Sequence, residues 1–308
     1  MAGGVVEEFE AQRSRMFGIA YRMLGSATEA EDVVQDAYVR WDGAEPGAIA
    51  HPPAWLAKVV TNLCLNRLTS ARATREEYIG PWLPEPVLTA DHGVLGPLES
   101  AEQRDSVSFA LLVLLERLSP TERAVFVLRE AFGYGYREIA AIVELTDANC
   151  RQLYRRARSR LDAEGAGADR AEYDDARWRA FVERFLAAAR EGDLGGLERM
   201  LADDVVSWAD GGGRVGAARR PVFGASNVAR YVAGLLGRFG VGVDIRFASV
   251  NGAPAVLGLV GDALIGVFAI DVLDGRITAL RIMSNPDKLV FAAAQFAALS
   301  HSEGPAGS

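Results

Sequence analysis

The sequence predicts a multidomain chain in which two small all-α domains precede an α+β domain, and three observations carry that prediction. Its 308 residues are about twice the usual domain length. Apolar residues recur at helical spacing through the first half, whereas strand-like alternation sets in from Val241. Proline- and glycine-rich segments separate these stretches. Half of the residues are hydrophobic and 24% are charged, so each domain can bury a core. With 33 basic and 41 acidic residues the net charge is -8, which excludes nucleic-acid binding through overall positive charge and leaves a local basic face as the alternative.

The first domain, expected over 1–75, carries Met16, Phe17, Ala20, Tyr21 and Leu24, then Val33, Val34, Ala37, Tyr38 and Trp41, then Trp55, Leu56, Val59, Val60, Leu63 and Leu68 at helical spacing. Ser26 with Glu29 reads as a capping box, and the proline- and glycine-rich run from Gly43 to Pro53 reads as a loop. Residues 76–105 read as a linker containing Trp82-Leu-Pro-Glu-Pro. The second helical domain is expected over 106–163. There Ser119-Pro-Thr-Glu supplies an N-cap serine, proline at N1 and glutamate at N3. A helix opening at Gly135 or Tyr136, a short turn, and a further helix capped by Thr146 form a helix-turn-helix pattern. A hinge at 164–171 leads to the α+β domain at 172–300 and a tail at 301–308. Residues 173–202 and 225–239 read as helical; Asp274-Gly275 between apolar runs reads as a two-residue hairpin turn.

The helix after Thr146 concentrates chemistry. It holds arginines 151, 155, 156, 158 and 160 against Asp147 and Asp162. Its N-terminal part would enter a DNA major groove with Asn149, Arg151, Gln152 and Arg155, while Arg156, Arg158 and Arg160 suit phosphates; a solvated basic helix is the alternative. In the first domain Pro46 to Arg75 contains no acid, but it has Lys58, Arg67, Arg72 and Arg75 interleaved with Trp55, Asn62 and Asn66. An acidic helix with Asp32, Gln35 and Asp36 precedes it, so one face could hold a protein and another DNA. Trp41 and Trp55 are either stacking platforms for an unpaired base or core. Cys64 and Cys150 lie far apart within helical patterns and only three histidines occur, so reduced thiols, no metal and no cofactor are expected. The N-terminus has no secretory pattern and no segment approaches the roughly 18 apolar residues of a membrane helix, so a cytoplasmic location without membrane association is expected.

Glu29-Ala-Glu-Asp-Val-Val-Gln-Asp-Ala-Tyr-Val-Arg-Trp and Pro53-Ala-Trp-Leu-Ala-Lys-Val-Val-Thr-Asn-Leu-Cys-Leu-Asn-Arg-Leu resemble region 2 of bacterial extracytoplasmic-function (ECF) sigma factors. Leu118-Ser-Pro-Thr-Glu-Arg-Ala-Val-Phe-Val-Leu-Arg-Glu, Tyr136-Arg-Glu-Ile-Ala and the arginine helix resemble their region 4. The remainder resembles the SnoaL-like (NTF2-like) α+β cone carried by the SigJ-like subgroup. Three motifs mark it: Trp82-Leu-Pro-Glu-Pro, Asp210-Gly-Gly-Gly-Arg and Asn285-Pro-Asp-Lys-Leu. Where that subgroup usually has lysine after the glycines, this chain has Arg214.

The resemblance implies a non-catalytic chain whose partners are core RNA polymerase and promoter DNA. Asp32, Gln35 and Asp36 would dock on the polymerase clamp. Trp55, Lys58, Asn62, Asn66 and Arg67 would open and read the -10 element, and Asn149, Arg151, Gln152, Arg155 and Arg156 the -35 element. It also implies regulation in cis through contacts made by Trp82, Pro84, Glu85, Asp210, Gly211, Arg214, Asn285, Asp287 and Lys288, without a separate anti-sigma protein, and a cone with room for a small ligand. Two rival readings stand beside it. A cyclase or isomerase would use Asp204 or Asp210 near Trp208 as general base, though residues 172–300 contain no histidine and only Tyr173 and Tyr231 as tyrosines. A ligand-sensing repressor would use the helix-turn-helix on duplex DNA alone. Asp210-Gly-Gly-Gly also reads as a plain turn and Asn285-Pro-Asp as a plain helix start.

Overall fold

The computed structural model describes residues 2–45, 49–76, 78–89, 94–96, 101–163 and 174–302, and among them the side chains of 2–5, 71–76, 101–102 and 302 are left aside. The chain forms two compact units: Met1–Glu77 with Asp91–Ala168, and Tyr78–Ala90 with Asp169–Ser308. The expected hinge at 164–171, the side chains of Arg72 and Arg75, and Pro46 to Ala48 of the expected loop lie outside the described residues.

The first unit is helical: α1 (Ala2–Glu10), α2 (Arg13–Leu24), α3 (Ala27–Asp42), α4 (Pro52–Glu76), α5 (Ala101–Asp105), α6 (Phe109–Leu115), α7 (Pro120–Glu130), α8 (Tyr136–Val143) and α9 (Asp147–Ala163). Its starts are set by the caps in the sequence. Ser26 Oγ accepts from Glu29 N at 3.1 Å, and Ser119 and Glu122 make a reciprocal box with Pro120 at the helix start. Thr146 Oγ1 accepts from Asn149 N at 3.2 Å and opens α9. The stripes read from the sequence become the core, with Phe17, Tyr21, Val33 and Leu56 at most 1% exposed.

The two helical segments expected as separate domains share this one unit, and two buried arginines explain why. Arg22 of α2 donates to Ser106 Oγ through Nε and Nη2 at 3.0 and 2.8 Å and to Gly18 O through Nη1 at 3.0 Å. Arg123 of α7 donates to Met23 O, near the C-terminal end of α2, at 2.6 Å and to Glu116 at 2.7 Å. Burial lowers the pKa of both guanidinium groups to about 10.

In the second unit α10 (Asp175–Glu191) and α11 (Leu194–Met200) lead into strand β1 (Leu201–Asp210), followed by β2 (Val222–Phe223), α12 (Ala225–Phe239), β3 (Asp244–Val250), β4 (Ala253–Val260), β5 (Ala263–Leu273), β6 (Arg276–Met283) and α13 (Pro286–Ser302). One six-stranded sheet has the order β2-β1-β6-β5-β4-β3, antiparallel except for the parallel pair β1–β6. Trp178, Val182 and Phe185 of α10 and Val228 and Val232 of α12 share a core with Val205, Val256, Ile270 and Leu280 of the sheet. The helical reading of 173–202 breaks where left-handed Gly192 ends α10 and Asp193 caps α11. Beyond Met200 the chain alternates its burial as a strand. The expected Asp274-Gly275 turn joins β5 to β6 with φ of 50° and 73°, the signature of a type I′ hairpin. Tyr78–Ala90, read from the sequence as linker, belongs to this second unit.

Candidate nucleic-acid interface and a buried lock

On α9, Asn149, Arg151, Gln152, Arg155 and Arg156 are all exposed, while Cys150, Ala157 and Leu161 face inward. The five arginines are not equivalent. Arg151 is held by Asp147 at 2.8 Å and lies 5.2 Å from the Tyr136 ring centroid. Arg158 pairs with Asp162 at 3.0 Å and Arg160 with Glu122 at 2.9 Å. Arg158 and Arg160, which the sequence places near phosphates, therefore also bind their own domain. Arg155 and Arg156 have no ion-pair partner among the described residues, so they carry the free positive field of this helix.

The residues expected in the first domain are brought together differently. Arg67 of α4 donates to Asp36 Oδ2 at 2.8 Å, approaches Asp32 at 3.6 Å and reaches Glu29 O at 3.3 Å. A residue assigned to DNA and two assigned to a protein partner thus neutralise one another, because α3 and α4 pack side by side. Gln35 and Asn66 are exposed and Asn62 is half-buried. Trp55 packs on Trp41 with ring centroids 5.9 Å apart, and Trp41 is buried, so Trp41 is core and Trp55 half-buried. Lys58 forms an exposed pair with Glu144 of the helix-turn-helix turn at 3.0 Å. A hollow of about 420 Å³ lies beside them, lined by Trp55 and Lys58 on one side and by Tyr134, Glu138 and Ile142 on the other.

In the second unit the three short motifs converge on one carboxylate. Asp210 closes β1 with its side chain fully buried. Its Oδ1 accepts from Tyr78 OH at 2.5 Å and Gly212 N at 3.1 Å; its Oδ2 accepts from Leu83 N at 2.8 Å and Lys288 Nζ at 2.8 Å. Lys288 Nζ also donates to Leu83 O at 2.6 Å and lies 4.2 Å from the centroid of Trp82 and 4.6 Å from that of Tyr78. A buried ion pair is tolerable only when its remaining sites are satisfied, and here backbone, hydroxyl and aromatic faces surround it. Asn285 does two things: its Oδ1 caps α13 through Asp287 N at 3.1 Å, and its Nδ2 donates to Tyr78 OH at 2.9 Å. Burial first, and then the bond to Asp210, push the Tyr78 phenol far above its ordinary pKa.

The glycines have a steric reason. Gly212 and Gly213 take φ of 58° and 71°, and a Cβ at Gly212 would collide with the Asn285 amide. A Cβ at Gly211 would lie 2.8 Å from Val215 O. Arg214 sits outside the buried cluster, in an exposed pair with Asp287 at 3.1 Å. Further along, Asn251 Oδ1 accepts from Val87 N at 3.0 Å, Gln295 Oε1 from Leu88 N at 2.8 Å and Ser249 O from Thr89 N at 2.8 Å. Residues 78–89 are therefore a strap, with Leu83, Pro84, Glu85 and Pro86 buried. All four acceptor positions of Asp210 are filled and Asp204 is exposed, so neither carboxylate is placed as a general base.

Comparison with known proteins decides the family. The chain is 39% identical to the ECF RNA polymerase sigma factor SigJ of Mycobacterium tuberculosis over 297 residues, covering 92% of each. The chain belongs to the ECF RNA polymerase sigma factors. As such it is a promoter-specific transcription initiation factor and not an enzyme. It is also 34% identical to a probable ECF sigma factor, SigI, of the same species, over 91% of this chain and 93% of that one. The crystal structure of M. tuberculosis SigJ matches this sigma factor with a TM-score of 0.71 at 35% identity, covering 93% of this chain and 98% of that one. Residues 9–74 match the model for Sigma-70 region 2, and 108–161 that for Sigma-70, region 4. None of the described helices is long and apolar enough to cross a membrane.

Sequence reasoning about this sigma factor passed over Tyr78, Asn251 and Gln295. Asn251-Gly252 is itself a hairpin signal, with φ of 53° and 73°, and reading it would have found the β3–β4 turn. Tyr78 and Gln295 carry no local signal; only the folded strap brings them into use.

Proposed function

We propose that this sigma factor binds core RNA polymerase through the α3 face bearing Asp32, Gln35 and Asp36. Helix α4 opens and reads the -10 element with Trp55, Lys58, Asn62, Asn66 and Arg67, and α9 reads the -35 element. The observation that carries the DNA assignment is the outward face of α9, where every expected contact residue is exposed. Arg155 and Arg156 supply phosphate attraction, and Arg151 becomes available once DNA competes with Asp147. Because Arg67 is held by Asp32 and Asp36, docking of the acids on polymerase releases Arg67 for DNA. The protein works in the cytoplasm, where its template and polymerase are.

Regulation runs in cis through the strap, without a separate anti-sigma protein. The strap lies within the covalent connection between regions 2 and 4, so its docking on Asp210, Asn285 and Lys288 sets how far that connection can extend. Trp82, Pro84, Glu85 and Gly211 shape the dock, while the exposed Arg214–Asp287 pair trims its edge. Within the first unit, the Lys58–Glu144 pair and the buried Arg22 and Arg123 favour a closed arrangement that polymerase must open.

The test is in-vitro transcription with core polymerase on a template carrying the promoter upstream of this gene, comparing the full chain with Lys288→Met. Specific initiation by the full chain, altered in the variant, supports both parts. Specific initiation that is identical in the two overturns the regulatory part, and absence of any specific transcript overturns the site assignments.

A further inference from the structure

We propose that the cavity of the C-terminal unit is a binding site for one small, uncharged and largely apolar molecule. The cavity holds about 230 Å³ between α12 and the sheet, close to the lower end of ligand pockets at roughly 300 Å³. Its hollow comes from the choice of residues. Gly258 of β4 and Gly266 of β5 are direct cross-strand partners, and both line the space. Neither takes a left-handed φ, so the backbone does not require glycine at either place. A Cβ at Gly258 would meet Val243 Cγ1 at 3.4 Å and Phe268 Cε2 at 3.8 Å, ordinary contacts that a side chain could make. A Cβ at Gly266 would meet Met283 O and Phe268 Cε2 at 3.4 Å, again ordinary contacts, and the one backbone atom near a Cβ at Gly258 is Gly266 O at 3.9 Å. Glycine inside a strand weakens it and often marks the approach of a ligand or another backbone, and at Gly258 the remaining neighbours are side chains that line the cavity.

The mouth and the polarity narrow the ligand class. Val215, Phe239 and Ile265 line the cavity yet are 41%, 50% and 41% exposed, so an apolar rim surrounds the opening. Among the described lining residues Arg190 is the sole charged one; it is exposed and its guanidinium donates to Val243 O at 3.5 Å. Among the described residues no carboxylate lines the hollow, so an ionic ligand would leave water without a buried counter-charge. Tyr231, whose hydroxyl accepts from Ala218 N at 3.5 Å, and Ser284 can orient a single hydroxyl or carbonyl. The site stands independently of the regulatory reading, although its floor adjoins the lock: Ala209 precedes Asp210 and Ser284 precedes Asn285 in the chain.

The test is a fluorescence titration of the full chain with 1-aminoanthracene, an uncharged fused-ring fluorophore. Saturable binding at one site per chain is expected, displaced more readily by neutral 2-naphthol than by anionic 2-naphthoate. Gly258→Leu fills the hollow from the sheet, and Ala217→Phe fills it from a loop outside any strand or helix; each should weaken binding by about tenfold or more. Unchanged circular dichroism shows which variant is folded, and Ala217→Phe serves if the strand variant is not. Unsaturable binding, undiminished affinity in a folded filled variant, or preferential displacement by the naphthoate overturns the proposal.

Discussion

Neutralising Lys288 tests the lock most directly. In Lys288→Met the ammonium that bonds Asp210 at 2.8 Å and Leu83 O at 2.6 Å is replaced by an apolar chain, leaving a carboxylate with no exposed surface and only neutral donors. Removing one member of a buried pair costs about 3–5 kcal/mol, because the other charge stays desolvated. Three neutral donors remain on Asp210, from Tyr78, Leu83 and Gly212, so the lower end, about 3 kcal/mol, is expected. That corresponds to a strap-opening equilibrium raised by roughly a hundredfold. Hydrogen exchange reads it locally: the amides of Leu83, Val87, Leu88 and Thr89, all bonded in the strap, should lose protection together. Asp210→Asn should lose a similar amount, and the double variant should recover part of the sum, because the pair is coupled. Additive losses, or a single-variant loss below about 1 kcal/mol, would refute the account of the lock as a buried charge pair.

Three other outcomes follow from the same structure. Arg155→Ala and Arg156→Ala should each weaken promoter binding about equally on all sequences and reduce the slope of log K against log salt by about 1, measured by fluorescence anisotropy. Tyr78 titrates far higher when the strap is docked than when it is free, so the docked state holds the extra proton and strap stability should fall as pH rises through about 10. Tyr78→Phe should flatten that part of the profile measured by hydrogen exchange, relative to the unaltered chain. Glu144→Ala removes an exposed partner of Lys58 and should change the urea midpoint by no more than about 0.5 kcal/mol equivalent.

Local rules reached far into this chain. The Ser119 box, the Thr146 cap and the Asp274-Gly275 turn depend on residues within three positions of each other, and all three form as the sequence implies. Helical stripes became core for the same reason, since burial follows a period that the chain itself carries. The strand Leu201–Asp210 was not legible, because it is stabilised by parallel pairing with Arg276–Met283, about seventy residues away, rather than by local pattern.

The functional sites divide along the same line. Sequence by itself determined the sigma-factor motifs, the arginine-rich face of α9 and the three short motifs around Trp82, Asp210 and Asn285. Tertiary structure alone decided that Arg67 is spent on Asp36, that Arg155 and Arg156 are the free cations of α9 among the described residues, and that a segment read as linker is a docked strap. Only tertiary structure decided, too, that Asp210 faces a tyrosine 132 positions away and a lysine 78 positions away. A buried charge finds its partners through space, and that choice belongs to the whole fold.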